Sequence, residues 1–243
     1  MFYTTGMSEK CGLRINLRGT QLLPKLIGMA LDPTAPLGLR ERKKRAARRA
    51  MSEAALKLAA EKGVEQVRVE DIANAVGVSP RTFNNYFSSK EEAICSFIVE
   101  RQEQVLEALR DRPPEEPLWE AVSAATLETY GRDGEPNRDT VKIARSMILH
   151  PSVHGEFLKA HATVERVLAE GILERAGAGP ENALNARLMA AIVESAVKTA
   201  FFNWLMNEGT EPFLETVSVL LREAAAGIPS LTGPEPVKKP KKQ

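Results

Sequence analysis

The residues best suited to chemistry in this sequence lie close together, in the segment SPRTFNNYFSSK. Arg81, Asn84 and Asn85 have planar side-chain heads that form hydrogen bonds in pairs, and Thr82 adds a hydroxyl. In the major groove of B-DNA, arginine pairs with guanine in this way and asparagine pairs with adenine. The four side chains therefore indicate a surface that recognises base edges.

To reach base edges, these side chains must project from a short, rigid helix. Phe83 and Phe87 lie four residues apart and so share the opposite, inward face of that helix. Ser79 is a suitable N-cap, and Pro80 fits the first helical position, where its missing N–H costs nothing. Because so short a helix is not stable on its own, the two phenylalanines must anchor it to a neighbour.

That neighbour is the segment EDIANAVG, a second short helix that ends at Gly77. Its inward residues are Ile72, Ala73 and Val76. Two short helices joined by a tight turn that contains glycine are typical of the helix-turn-helix motif, whose second helix enters the major groove. An ordinary helical hairpin with a solvated polar face is the alternative interpretation.

The distribution of charge favours the DNA-binding interpretation. The chain of 243 residues has a net charge of +1. However, residues 37–90 contain 12 basic and 6 acidic side chains, whereas residues 91–228 contain 13 basic and 23 acidic ones. A positive unit next to a negative one suits a polyanionic partner on one side only, and it indicates two units.

Three basic side chains around the motif are candidate phosphate contacts. Arg49 ends a dense basic run, Arg68 precedes the second short helix, and Lys90 begins a further helix. At that helix start, the Lys90 amine and the free backbone N–H groups would hold a phosphate together. Ser88 or Ser89 is expected to cap this helix, and Ser88-x-x-Glu91 fits a capping box.

The sequence VEDIANAVGVSPRTFNNYFSSKEEAI resembles the signature of the TetR/AcrR family of bacterial transcriptional regulators, and the resemblance extends over about residues 40–98. It implies an N-terminal DNA-binding domain, a homodimer and a double-stranded DNA operator. It also implies DNA contacts for Thr82, Tyr86 and Lys90, which match the family pattern.

The chain departs from that pattern at three positions. Arg68, Arg81 and Asn84 stand where the family usually has Thr, Gly and Tyr, so Arg81 and Asn84, with Asn85, form this protein's own expected specificity set. The stretch LGLRERKKRAARRAMSEAALKLAAEKGVE also resembles the actinobacterial subgroup related to the mycofactocin-type regulator. This resemblance implies an effector similar to an acyl-CoA.

Helix formers and helix breakers divide the chain into about nine helices, and no segment shows the alternation of period two that predicts a strand. The first helix is expected at about 39–61. Beyond the motif, a helix runs to about residue 110, and the later helices are expected at 117–130, 139–149, 152–176, 181–208 and 211–226.

The predicted fold is therefore all-α. A three-helix helix-turn-helix DNA-binding domain is expected at 37–90, and a larger helical ligand-binding and dimerisation domain at 91–228. Residues 1–36 are expected to be a disordered extension, with Met29 as an alternative first residue. Residues 229–243, which end in PVKKPKKQ, are expected to be a disordered basic tail.

The two C-terminal helices carry more apolar residues than one buried face requires. In the helix at 181–208, Arg187, Glu194 and Lys198 form a narrow polar stripe, and nearly every other position is apolar. A helix of this kind is covered on more than one side. It favours a homodimer built as a four-helix bundle. A buried helix within a monomer is the alternative.

A pocket for a small-molecule effector is expected in the larger domain. The candidate lining residues are aromatic, sulfur-containing or imidazole side chains on its helices: Trp119, Met147, Phe157, His161, Phe201 and Trp204. The same residue types at helical spacing also suit a plain core. His154 and His161 lack further ligands at a familiar spacing, so no metal site is predicted.

Several functional classes are not favoured by the sequence. It contains no phosphate-binding glycine loop, no G-x-S-x-G and no H-E-x-x-H, so we predict no enzyme, no catalytic residue and no cofactor. Cys11 and Cys95 are 84 residues apart without companions, which argues against a disulfide framework and favours the cytoplasm. No apolar run approaches 18 residues, so no membrane span is expected.

The resulting hypothesis is a ligand-responsive DNA-binding regulator, a repressor released from a palindromic operator by a small apolar effector. The alternative is a non-specific or architectural DNA-binding protein without effector control.

Overall fold

Nine α-helices and one 3₁₀ turn make up the part of the chain that the structure, a computed structural model, describes, namely residues 39–132, 134, 138–177 and 179–227. Within these ranges there is no strand, which confirms the all-α prediction. The predicted disordered segments 1–36 and 229–243, and the question of Met29, lie outside the described residues. The helices are α1 (Leu39–Lys62), α2 (Val69–Ala75), α3 (Pro80–Asn84), α4 (Lys90–Asp111), α5 (Leu118–Gly131), α6 (Arg138–Ile148), α7 (Pro151–Ala176), α8 (Pro180–Met206) and α9 (Phe213–Ala225), and the 3₁₀ turn is Val64–Gln66.

The first three helices pack around one apolar cluster. α1 contributes Met51 and Ala55, α2 contributes Ile72 and Ala73, and α3 contributes Phe83. Because α2 and α3 are both short, this shared core, rather than helix propensity, holds them in place.

The start and the anchor of α3 agree with the prediction from the sequence. The Ser79 hydroxyl accepts a hydrogen bond from the Thr82 N–H at 3.0 Å, and Pro80 is the first helical residue. Phe83 and Phe87 are 0% and 2% exposed, and their ring centroids are 5.4 Å apart. The buried rings therefore fix which face of α3 points outward.

The cap of α4 is shifted by one residue from the predicted capping box. Ser89 is the N-cap and accepts from the Glu92 N–H at 3.0 Å, while the Glu92 carboxylate accepts from the Ser88 N–H and hydroxyl at 2.7 Å each. The predicted pair, Ser88 with Glu91, is wrong because the helix begins at Lys90, which places Glu92 at the third helical position.

α4 connects the DNA-facing helices to the larger unit. It packs against α1 on one side and against α5 and α7 on the other. α4 and α7 approach so closely that a Cβ at Gly171 would collide with the Leu106 side chain. α8 in turn packs against α7 and α9, so α4 to α9 form one helical assembly.

The expectation that no segment is apolar enough to cross a membrane is wrong for α8 by length and composition. Among the described residues, 182–206 have a length and a mean hydropathy of 1.2 that meet this criterion by composition alone. In the fold, α8 buries Ala190, Val193 and Val197 against its neighbours. The apolar composition therefore has an explanation in the packing of the larger unit.

Phe83→Ala is expected to lower the free energy of unfolding by about 3–5 kcal/mol, because it removes a fully buried ring and leaves a cavity. Urea unfolding followed by circular dichroism measures the change. Phe83→Leu, which keeps most of the volume, should lose clearly less. Equal unfolding midpoints for the wild type and the alanine variant would contradict the anchoring role of this ring.

Glu92→Gln is expected to lower the melting temperature at neutral pH. Burial raises the pKa of Glu92, but the Ser88 N–H, the Ser88 hydroxyl and the Arg48 guanidinium outweigh it, so the pKa lies below the ordinary value of 4.5. The stabilisation by the ionised group is therefore full above about pH 4.5 and is lost as the pH falls through the folded-state pKa. Melting curves between pH 7 and about pH 3 should show that the difference in melting temperature between the wild type and Glu92→Gln shrinks as the pH falls. Glu53→Gln, at an exposed position of α1, should melt close to the wild type at every pH.

Candidate DNA interface and effector site

The outward face of α3 carries the side chains expected to recognise DNA. Arg81 and Asn84 are exposed and lie three residues apart, so they share one side of the helix. Asn85 is also exposed, but it is the C-cap residue rather than part of the helix. Thr82 is half-buried, and its hydroxyl lies 2.9 Å from the Ser79 hydroxyl, so it also takes part in the N-terminal cap.

Arg48 holds the chain that leaves α3. Its Nη1 donates to the Tyr86 carbonyl at 2.7 Å, and its guanidinium carbon lies 4.3 Å from the centre of the Phe87 ring. It also lies 3.5 Å from the Glu92 carboxylate. Nothing in the basic run of the sequence distinguishes Arg48 from its neighbours, so this role could not be predicted. Tyr86, a predicted DNA contact, is half-buried beside it.

The predicted contact of Arg49 with phosphate stays a prediction, and it would have to compete with a carboxylate of α4. Its Nε lies 3.6 Å from the Glu100 carboxylate, and only 15% of its side chain is exposed. Burial raises the pKa of Glu100, although Arg49 acts in the opposite direction. Arg45, earlier on the same helix, lies 3.4 Å from Glu103. Part of the basic run therefore pairs with acidic side chains of α4, and Arg49 is largely withdrawn from solvent while Arg45 stays exposed.

Lys90 and Arg68 have different surroundings. The Lys90 ammonium donates to the carbonyls of Val64 and Val67 at 2.8 Å each, so it ties the 3₁₀ segment to the start of α4. A contact between Lys90 and phosphate would have to compete with these two bonds. The Arg68 side chain is exposed at the N-cap of α2. The backbone N–H of Arg68 donates to the Asp71 carboxylate at 3.2 Å. Its predicted contact with phosphate stays a prediction.

Five of the six candidate effector residues belong to one apolar cluster. The Phe157 ring centroid lies 4.3 Å from that of His161 and 5.8 Å from that of Phe201, which is 5.9 Å from Trp204. Met147 is buried in the same cluster.

Trp119 does not join this cluster. It lies on α5 and lines a separate surface groove of about 450 Å³ with Leu127 and, on α9, Leu221. Trp119 lies on α5 and Phe201 on α8, three helices later in the chain, and only the residue type connected the two in the prediction.

Two buried polar residues, Glu194 and Arg101, and the half-buried Tyr130 were not among the predicted site residues. Glu194 is 4% exposed and is hydrogen-bonded to His161 Nδ1. Arg101 is 6% exposed, and its guanidinium carbon lies 4.9 Å from the centre of the Tyr130 ring. Burial raises the pKa of Tyr130, Glu194 raises it further, and Arg101 opposes the change. The signal available in the sequence was Glu194, a member of the narrow polar stripe on a mostly apolar helix.

An exposed, anchored recognition helix on a basic three-helix unit, joined to a larger helical unit, defines a helix-turn-helix DNA-binding protein. The family model described as "Bacterial regulatory proteins, tetR family" matches residues 52–93, and the model described as "MftR C-terminal domain" matches residues 116–229. The chain is 32% identical over 198 residues to the HTH-type transcriptional regulator TcmR of Streptomyces glaucescens, a match that covers 79% of this chain and 86% of that protein. The chain belongs to the TetR family of transcriptional regulators.

Two further relatives agree with this assignment. The Fatty acid metabolism regulator protein of Bacillus subtilis (strain 168) is 24% identical over 182 residues, which cover 72% of this chain and 92% of that protein. A solved TetR-family transcriptional regulator from Syntrophomonas wolfei shares the fold with a TM-score of 0.53 at 16% identity, over 78% of this chain and 98% of that one. These relatives are named as regulators, not as enzymes.

Arg49→Ala is expected to lower the free energy of unfolding by roughly 1–3 kcal/mol, between the values for exposed and fully buried ion pairs, because Glu100 loses its nearest cation. Urea unfolding measures this, with Arg81→Ala as a control that should leave stability unchanged. Unchanged stability together with weaker DNA binding would instead support Arg49 as a phosphate contact.

Proposed function

We propose that this regulator is a ligand-responsive repressor, which binds a palindromic operator as a homodimer and is released by a small apolar effector. The observation that supports this proposal best is the exposed pair Arg81 and Asn84, on a helix that the buried Phe83 fixes in place. A five-residue helix contacts few bases. Two copies about one DNA turn apart would read enough sequence to be specific.

Exposed apolar side chains on α8 and α9 support the homodimer. Leu184 and Leu188 are 74% and 59% exposed and lie one turn apart on α8, and Val219 on α9 is 39% exposed. Contiguous exposed apolar residues are typical of an interaction surface. A two-fold axis through these helices would bury the same surface of both copies in a four-helix bundle.

The aromatic cluster around Phe157 supports the effector site. It lies in the unit that matches the MftR C-terminal domain, and one relative is named for fatty acid metabolism. Both similarities support a place in the mycofactocin-type subgroup and an apolar effector such as an acyl-CoA. A protein that binds chromosomal DNA and carries a free, buried Cys95 is expected in the cytoplasm.

Two contacts connect α7, the helix that carries Phe157, to the N-terminal unit and to α4. In the turn between α6 and α7, His150 Nε2 lies 3.4 Å from the Glu65 carboxylate of the 3₁₀ turn. On α7, the Val153 carbonyl accepts from the Cys95 thiol of α4 at 3.7 Å. An effector that displaces α7 would therefore move both contacts. A coupling free energy of about 1–3 kcal/mol would change operator affinity 5- to 150-fold.

Arg81→Ala and Asn84→Ala are each expected to weaken binding to the specific operator by about 1–3 kcal/mol, because each removes a paired hydrogen bond to a base. The operator is selected from a random DNA pool with the wild-type protein, and gel-shift titrations measure the affinities. Arg166→Ala, at an arginine on α7 with 63% of its side chain exposed, is the matched control and should bind normally.

The same titrations at several salt concentrations separate a repressor from an architectural protein. A sequence-reading regulator should prefer the selected operator when salt suppresses phosphate contacts. If both variants bind as tightly as the wild type, or if the preference for one sequence disappears with salt, the proposed recognition by α3 is wrong.

A further inference from the structure

The buried pair formed by His161 and Glu194 is more polar than packing alone requires. Both residues are more than nine-tenths buried, on α7 and α8, and His161 Nδ1 is hydrogen-bonded to a Glu194 carboxylate oxygen. Two apolar residues of similar volume would fill the same space at no cost in desolvation. A polar pair in this position therefore calls for a functional explanation.

The other ring nitrogen of His161 has an unsatisfied position. Within the described part of the chain, Nε2 is buried and no protein group bonds to it. Because Nδ1 is the nitrogen bonded to the carboxylate, the tautomer that donates through Nδ1–H leaves Nε2 as an open acceptor.

One aromatic ring contacts the His161 ring, and two further rings pack against that one. Phe157 lies 4.3 Å from the His161 ring, Phe201 stacks on Phe157 at 5.8 Å, and Phe202 meets Phe157 edge-on at 5.4 Å. Phe201 and Phe202 are only half-buried, so they are the rings that can move aside for a ligand. Rings in stacked and edge-on positions suit a planar aromatic guest.

The open position on His161 decides between classes of ligand. A carboxylate or phosphate group would have to be stripped of water to reach this buried position, and a thioester carbonyl offers no hydrogen to Nε2. A neutral hydroxyl supplies the hydrogen and brings no charge to bury.

We infer that the effector is a compact, uncharged aromatic molecule with a phenol-type hydroxyl, which donates to His161 Nε2 while its ring packs against Phe157 and Phe201. This inference rests on the proposed effector-controlled function, but it replaces the acyl-CoA-like effector suggested by the similarities with an aromatic one, and the release assay below distinguishes the two.

The test compares two probes of the same shape, 2-naphthol and 2-methoxynaphthalene, of which only the first has a hydrogen to donate. The chain has two tryptophans, so a Trp119→Phe background leaves Trp204, with its ring 5.9 Å from Phe201, as the fluorescent reporter. We expect 2-naphthol to bind about tenfold more tightly, as one hydrogen bond predicts. Equal affinities, or no binding of 2-naphthol up to about 1 mM, overturn the inference without the need for any site variant.

Two variants locate the acceptor. His161→Phe should abolish the preference for 2-naphthol, whereas His154→Phe should keep it. His154 is the matched control because its ring also contacts Phe157, at 6.3 Å, and its Nδ1 is also buried without a partner, but its side chain is less buried than that of His161. If His154→Phe, rather than His161→Phe, removes the preference, the assignment of the acceptor is wrong.

Gel shifts separate this inference from the proposed function. In the wild type, 2-naphthol should release the selected operator DNA. Release by lauroyl-CoA, but by neither naphthalene compound, would overturn the aromatic class and leave the repressor intact. Absence of sequence-specific DNA binding would instead overturn the proposed function.

Discussion

Burial of the Phe83 ring is the constraint on which the DNA-facing unit depends. α3 has five residues, about one and a half turns, which is far below the length at which a helix is stable alone. The ring fills the space between α1 and α2 and leaves no surface exposed. Once that ring is fixed, the direction of Arg81 and Asn84 follows, because a helix turns about 100° per residue. The same packing that stabilises the unit thus orients the side chains for DNA.

α4 connects the DNA-facing unit to the rest of the molecule. Its first turn is capped by Ser89, its Lys90 ammonium holds the 3₁₀ segment, and its Glu92 and Glu100 carboxylates face arginines of α1. These ion pairs lie at a partly buried interface, where charge interactions are stronger than on an open surface. A shift of α4 relative to α7 would therefore change the position of α1 and, through Arg48, the end of α3.

The larger unit combines an apolar interior with a small number of buried polar groups. A buried polar group reduces stability unless it has a hydrogen-bond partner. A group with one unpaired donor or acceptor position therefore favours a ligand that can bond to that position. His161, fixed by Glu194 on one side and open on the other, is the group of this kind that lies within the aromatic cluster. Exposed apolar side chains on α8 and α9 have a different role, since they lie on the surface rather than around the cluster.

The sequence by itself determined the helices and the outward face of α3. Caps such as Ser79, breaks such as Gly77 and the four-residue spacing of Phe83 and Phe87 act within one or two turns, so they are visible in the chain without a fold. The tertiary structure decided which distant side chains meet. Arg49 and Glu100 are 51 positions apart, Lys90 bonds to carbonyls more than 20 residues earlier, and Trp119 lies away from Phe201. Nothing local specifies these contacts, because they depend on how whole helices pack.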